Sequence, residues 1–143
     1  MNVNPVDIAS SVNAFMAQRL VRVLCPDCKK RTKLGPEVKN KIERILKKIS
    51  EKAKIEVPSK VEYIFEAQGC PKCHGLGYKG RTMISEVMEI TKEMEGLITR
   101  GPTTSEVEDL AVKQGMLTMA QDGILKVLEG ITTIEEVERV TEE

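Results

Sequence analysis

Apolar residues recur every three or four positions at the start of the chain: Ile8, Val12, Phe15, Met16, Leu20, Val23 and Leu24. That period predicts a long amphipathic helix running to Leu24. Asn4 would cap it, Pro5 suits its first turn, and Asp7 lies where negative charge is favoured. Gln18, Arg19 and Arg22 fall on or beside the polar side, either as solvated charge or as a contact to another domain. A second period (Val38, Ile42, Ile45, Leu46, Ile49, Ala53) opens at Gly35-Pro36 and stops before Pro58, predicting a helix over 36–54 with a heavily charged outer face. Val61–Ala67 is β-branched and aromatic and Thr82–Ile90 has mixed faces, so both read as strands, expected to pair with each other.

From Thr91 the chain is punctuated by helix signals. Thr103 with Glu106, Thr118 with Gln121 and Thr133 with Glu136 each fit the capping box, and Gly115 and Gly130 stand where helices end. Four short helices follow, at 92–100, 104–114, 119–129 and 134–142. Their apolar residues, from Leu97 to Val140, are expected to form one common core.

The candidate chemistry lies between these blocks. All four cysteines occur as two Cys-x-x-Cys knuckles, Cys25-Pro26-Asp27-Cys28 and Cys70-Pro71-Lys72-Cys73, separated by residues 29–69. Two such turns facing each other supply four soft ligands in the tetrahedral array that zinc prefers. The separation exceeds the roughly 15–20 residues of a simple ribbon, so a folded insertion lies between them, expected to cover the metal lobe. A disulfide framework fits poorly without a secretory signal, and a redox pair would leave two thiols over. His74, the only histidine, could replace a thiolate but is expected to face solvent. A site closed by four thiolates leaves no position for water or substrate, so the zinc is structural. Gly69, Gly75, Gly77 and Gly80 allow the backbone to wrap the metal. Lys29, Lys30, Arg31 and Lys33 are read as offsetting the thiolate charge; a nucleic-acid or membrane contact is the alternative.

Charge narrows the function classes. There are 22 basic and 22 acidic residues in 143, aromatics are 3%, and tryptophan is absent. Such a balance argues against a dedicated phosphate-binding domain, and thiols beside zinc suggest the cytoplasm. A zinc-ribbon nucleic-acid binder would have to use the basic run and Tyr78-Lys79-Gly80-Arg81, against an acidic tail. Cys70–Gly77 also fits one repeat of the zinc region of DnaJ-type peptide-binding co-chaperones, but that module needs four repeats.

Four ordered stretches carry a resemblance: Ile8–Val12 with Ala17–Arg22, the first knuckle, Gly69–Cys73 through Gly77–Thr82, and Gly115-Met116 through Asp122–Thr133. In these the chain resembles the carboxy-terminal part of the ATPases that drive type II secretion and type IV pilus assembly. The resemblance implies a piece or stand-alone remnant of a cytoplasmic hexameric motor, peripheral at the inner membrane through its assembly. Cys25, Cys28, Cys70 and Cys73 would bind structural Zn2+. Its partners would be the remainder of the ATPase, neighbouring subunits and the inner-membrane platform protein, with no small-molecule substrate; the balanced charge and acidic tail weigh against nucleic acid. No Gly-x-x-x-x-Gly-Lys-Ser/Thr phosphate loop occurs in the sequence, so the chain alone is not expected to hydrolyse ATP. The expected fold is α+β, mostly α. Residues 1–24 form a helix from the end of the ATPase domain, 25–90 a zinc-stapled two-strand lobe with helical insertion 36–54, and 91–143 a bundle of about four short helices.

Overall fold

The computed structural model describes residue 7 and residues 10–141. The helix expected to run to Leu24 does not extend through this region: Ala14–Leu24 is a strand, β1. The cap at Asn4, Pro5 and the apolar Ile8 lie outside the described residues. β1 pairs antiparallel with β4 (Tyr78–Glu89), from Ala14 opposite Glu89 to Arg22 opposite Arg81, and the register shifts before Leu24 meets Tyr78. The apolar positions that mimic a helix stripe are instead divided between the two faces of a ribbon. Val21 and Ile84 point inward and are fully buried, whereas Met16 and Leu20 are exposed.

The strand pairing also differs from expectation. β3 (Tyr63–Glu66) pairs with β2 (Lys30–Lys33), not with the 82–90 strand, so the basic run is itself an edge strand. The chain thus makes two short antiparallel ribbons, β1–β4 and β2–β3, with one cysteine knuckle at each of the two crossings between them. The partner of each strand is set by this nesting, which carries both chain segments through the same junction.

The insertion contains α1 (Pro36–Lys47) and a 3-10 turn at Glu51–Ala53. It does not cover the metal lobe. Its apolar side joins the C-terminal helices: Ile42 and Leu46 share a core with Val21, Val61, Ile84, Ile124, Val127, Ile134 and Val137. Burying each such side chain is worth about 1.5–3 kcal/mol, and α1 has no comparable apolar surface to cover near the cysteines.

The four tail helices are α2 (Lys92–Ile98), α3 (Thr104–Gln114), α4 (Met119–Leu128) and α5 (Ile134–Thr141). The capping boxes at Thr103 and Thr118 form as the sequence predicts. A single common core does not. α4 and α5 belong to the main core, whereas Met94 and Ala111 of α2 and α3 form a second cluster with Ile90, flanked by Val12, Met88 and Met116. The break at Gly115 lets the two pairs seat on different parts of the β1–β4 ribbon.

α4 and α5 meet at Gly123, where an added Cβ would lie 2.5 and 2.8 Å from the two methyls of buried Val137. Val137 is β-branched and enclosed, so it cannot swing aside. Gly123→Val is expected to lower the unfolding free energy by about 1–3 kcal/mol through overpacking. A shifted urea midpoint checks this; an unchanged midpoint would show that the helices can part without cost.

Candidate metal centre

Each knuckle is a turn held by its own backbone. In the first, the amides of Cys28 and Lys29 donate to the Cys25 carbonyl at 3.3 and 3.0 Å. In the second, Cys73 and Gly75 donate to the Cys70 carbonyl at 3.2 and 2.9 Å, and Pro71 opens a 3-10 turn over Pro71–Cys73. The Cys25 amide donates to Gly77 at 2.9 Å, which ties the two turns together. Gly69 (φ +91°) and Gly77 (φ +76°) are required here: a Cβ would come within 2.5 Å of the Gly75 carbonyl oxygen at the first and 2.6 Å of the Ala67 Cβ at the second.

These turns bring together all four predicted ligands. The Sγ atoms of Cys25, Cys28, Cys70 and Cys73 lie within 4.8 Å of one another. Individual separations are 3.9 Å for Cys25–Cys70, 3.8 Å for Cys28–Cys73 and 3.7 Å for Cys70–Cys73. Four sulfurs set tetrahedrally at a metal–sulfur distance of about 2.3 Å would be separated by about 3.8 Å, so the donor set fits one ion of zinc's size. The same distances are far from the roughly 2.05 Å of a disulfide, and the cysteines are unpaired. Cys25 and Cys73 are buried and the other two half-buried. The four sulfurs could thus hold one metal ion between them.

The four thiols are not equivalent. Burial opposes ionisation of Cys73, but the backbone amides of Cys70 and Gly77, donating to its sulfur at 3.1 and 3.2 Å, and the adjoining thiols outweigh it and bring its pKa down to about 6. Burial and the neighbouring sulfurs push Cys28 up to about 12. Protons alone therefore cannot leave all four sites near neutrality; a bound cation would displace them.

The expected charge compensation comes from a different residue. Lys29 donates to the Gly130 carbonyl at 2.8 Å and sits over Phe65, and Arg31 stacks 4.0 Å from the centre of Tyr63. The cation whose charge couples to the thiols is Lys72, within the second knuckle. It also bridges to Asp27 of the first knuckle at 2.5 Å. The pair is largely exposed, so it orients the turns more than it stabilises them. His74 is exposed, as expected.

A second polar constellation escapes sequence reading. Glu136 is 1% exposed. It accepts from the Arg22 amide at 2.8 Å and from the Arg22 guanidinium at 2.7 Å, and Arg139 donates to both its oxygens at 3.0 and 2.8 Å. Arg22 lies over the Tyr78 ring, whose hydroxyl meets Thr133 at 3.0 Å, and Thr132 donates to the Arg22 carbonyl at 2.8 Å. These contacts bolt α5 to the end of β1, three residues before Cys25. The sequence signal was concealed because Thr133 and Glu136 match a capping box. Only half of it forms: the Glu136 amide reaches Thr133 Oγ1 at 3.4 Å while its carboxylate is taken by the arginines.

Comparison with known proteins places this arrangement. The family described as type II/IV secretion system protein matches residues 1–139. The chain is 36% identical over 137 residues to the type IV pilus assembly ATPase PilB of Thermus thermophilus, covering 96% of this chain and 14% of that protein. It is 36% identical to the type II secretion system ATPase E of Vibrio cholerae and 38% identical to the type II secretion system protein E of Pseudomonas aeruginosa, each over all of this chain and 26% of the relative. The chain thus spans about a quarter or less of the length of these relatives. With a family match over nearly its whole length and four thiols gathered at the junction of two ribbons, the chain belongs to the type II/IV secretion system protein family.

Proposed function

We propose that this chain is a non-catalytic module of a secretion or pilus-assembly motor, in which a structural Zn2+ held by Cys25, Cys28, Cys70 and Cys73 fixes the junction between two ribbons. The observation that carries the reading is the thiol tetrad, at zinc spacing, in a family member that lacks a phosphate loop. Zinc supplies no reaction here. It holds the crossings in register, so that the helices on β1–β4 and the β2–β3 ribbon behave as one body. In the assembled motor that body braces the nucleotide-binding domain and contacts neighbouring subunits or the inner-membrane platform. No helix among the described residues is long and apolar enough to cross a membrane, consistent with a peripheral position.

The test joins this chain to a working motor. A chimera is made in which residues 1–143 replace the matching segment of the Vibrio cholerae relative. It is expected to release phosphate from ATP, whereas the chain alone releases none above buffer. Serine at all four cysteine positions in the chimera is expected to cut turnover at least about tenfold, through loss of the brace. Phosphate release by the isolated chain would overturn the non-catalytic reading; full turnover of the four-serine chimera would overturn the brace.

A further inference from the structure

The turn between α4 and α5 meets the chain on both sides of the first cysteine knuckle. The Gly130 carbonyl accepts from Lys29 Nζ at 2.8 Å, one residue past Cys28. The Ile131 carbonyl accepts from the Leu24 amide at 2.8 Å, one residue before Cys25. Thr132 Oγ1 donates to the Arg22 carbonyl at 2.8 Å, where the ladder between β1 and β4 shifts register, and Thr133 Oγ1 meets the Tyr78 hydroxyl at 3.0 Å. Tyr78 in turn follows Gly77, whose amide donates to Cys73 Sγ at 3.2 Å and whose carbonyl accepts from the Cys25 amide at 2.9 Å. Consecutive residues of one turn thus each bond to a different position beside the cysteines, although none of them is a candidate ligand.

The turn is also tightly seated. Thr132 and Thr133 are 0% and 3% exposed, so their hydroxyls bond where water does not compete, and leaving such a bond unmade is costly. Gly130 has φ +70°, and a Cβ there would lie 2.6 Å from the Phe65 ring and 3.2 Å from Lys29 Nζ. The turn therefore touches β3 through Phe65 as well as the end of β1. Metal sites depend on the groups that hold their ligands in place nearly as much as on the ligands themselves. Leu24 and Lys29 are the shoulders from which Cys25 and Cys28 project, and this one turn bonds to both. We infer that residues 130–133 are a positioning element of the metal site, setting the shoulders of the first knuckle so that metal retention by the tetrad and seating of α4 and α5 are coupled in both directions. The inference rests on the zinc reading of the tetrad.

Zinc release from the loaded 143-residue chain into an excess of a chromogenic chelator tests this, with circular dichroism followed alongside. Thr132→Val keeps the volume and removes the hydroxyl; it is expected to release zinc at least about fivefold faster than wild type. Tyr78→Phe, which removes a single oxygen and carries the test should Thr132→Val fail to fold, is expected to be at least about twofold faster. Thr132→Ser retains the hydroxyl and should stay within about twofold of the wild-type rate. Met94→Ala is the control for general stability, since Met94 is fully buried in the second cluster. Its thermal midpoint should fall while its release stays within about twofold of wild type. Wild-type release from both Thr132→Val and Tyr78→Phe would overturn the inference alone. So would Thr132→Ser as fast as Thr132→Val, which would move the effect from the bond to packing, or equal acceleration in Met94→Ala, which would show that release follows overall stability. A wild-type chain that holds no zinc would overturn the zinc reading and this inference with it.

Discussion

Stripping the metal with a strong chelator, or replacing Cys73 with serine, is expected to unfold most of the chain. The stability of a domain of 143 residues is about 7–20 kcal/mol at roughly 0.05–0.15 kcal/mol per residue. Structural zinc in small domains contributes about 10–16 kcal/mol, so its loss is comparable with the whole. Location makes the loss global. β2 and β3 are four residues each and cannot persist as an isolated pair. Leu24 and Cys25, buried at the junction, also connect to the helical side through the Leu24 amide on the Ile131 carbonyl at 2.8 Å. Cys73 is the sharpest position because its sulfur receives two backbone amides that a serine hydroxyl, shorter in reach, would leave without a partner. Elemental analysis should find one zinc per chain, with helical circular dichroism lost on chelation and in Cys73→Ser. No metal, or identical thermal midpoints with and without chelator, would refute the clip.

The second large effect is expected at Glu136. Glu136→Ala leaves the Arg22 amide without its acceptor and removes the bolt between α5 and β1; the expected loss is about 2–4 kcal/mol. The wild-type carboxyl is held down to about 2 by the Arg139 hydrogen bonds first, against the opposing effect of burial, with Arg22 adding to the depression. Because its folded pKa lies below its unfolded value, the carboxylate contributes stability that is present above about pH 4.5 and is lost as pH falls toward 2. Glu136→Gln keeps the shape without the charge. Its deficit relative to wild type should therefore be large at neutral pH and shrink between about pH 4.5 and 2. Any proton competition for the thiolates affects both proteins alike and cancels in the comparison. A deficit independent of pH would show that packing, not charge, carries the effect.

The grouping of the four cysteines was legible because the information in each knuckle is local. Cys-x-x-Cys sets two sulfurs on one turn wherever the turn lies, and two pairs with no cysteine left over nearly force a shared ion. The caps at Thr103 and Thr118 were legible for the same reason, since a hydroxyl and a side chain three residues on satisfy amides within one turn. Lys72 lies inside the knuckle, so its place beside the thiols is local in the same way.

What the sequence could not determine was pairing at a distance. Residues 14–24 carry an apolar pattern compatible with a helix. Only the presence of β4, antiparallel along nearly its whole length, makes the strand the lower-energy choice, by supplying a ladder of hydrogen bonds and an inner face for Val21 and Ile84. Likewise nothing near Glu136 announces Arg22, 114 residues away in sequence. The sequence by itself thus determined the two cysteine knuckles, the tail helices and the caps at Thr103 and Thr118, because each depends on neighbours a few residues apart. The tertiary structure alone decided which strands pair and where the insertion packs, because those outcomes depend on surfaces that exist only once distant segments have met.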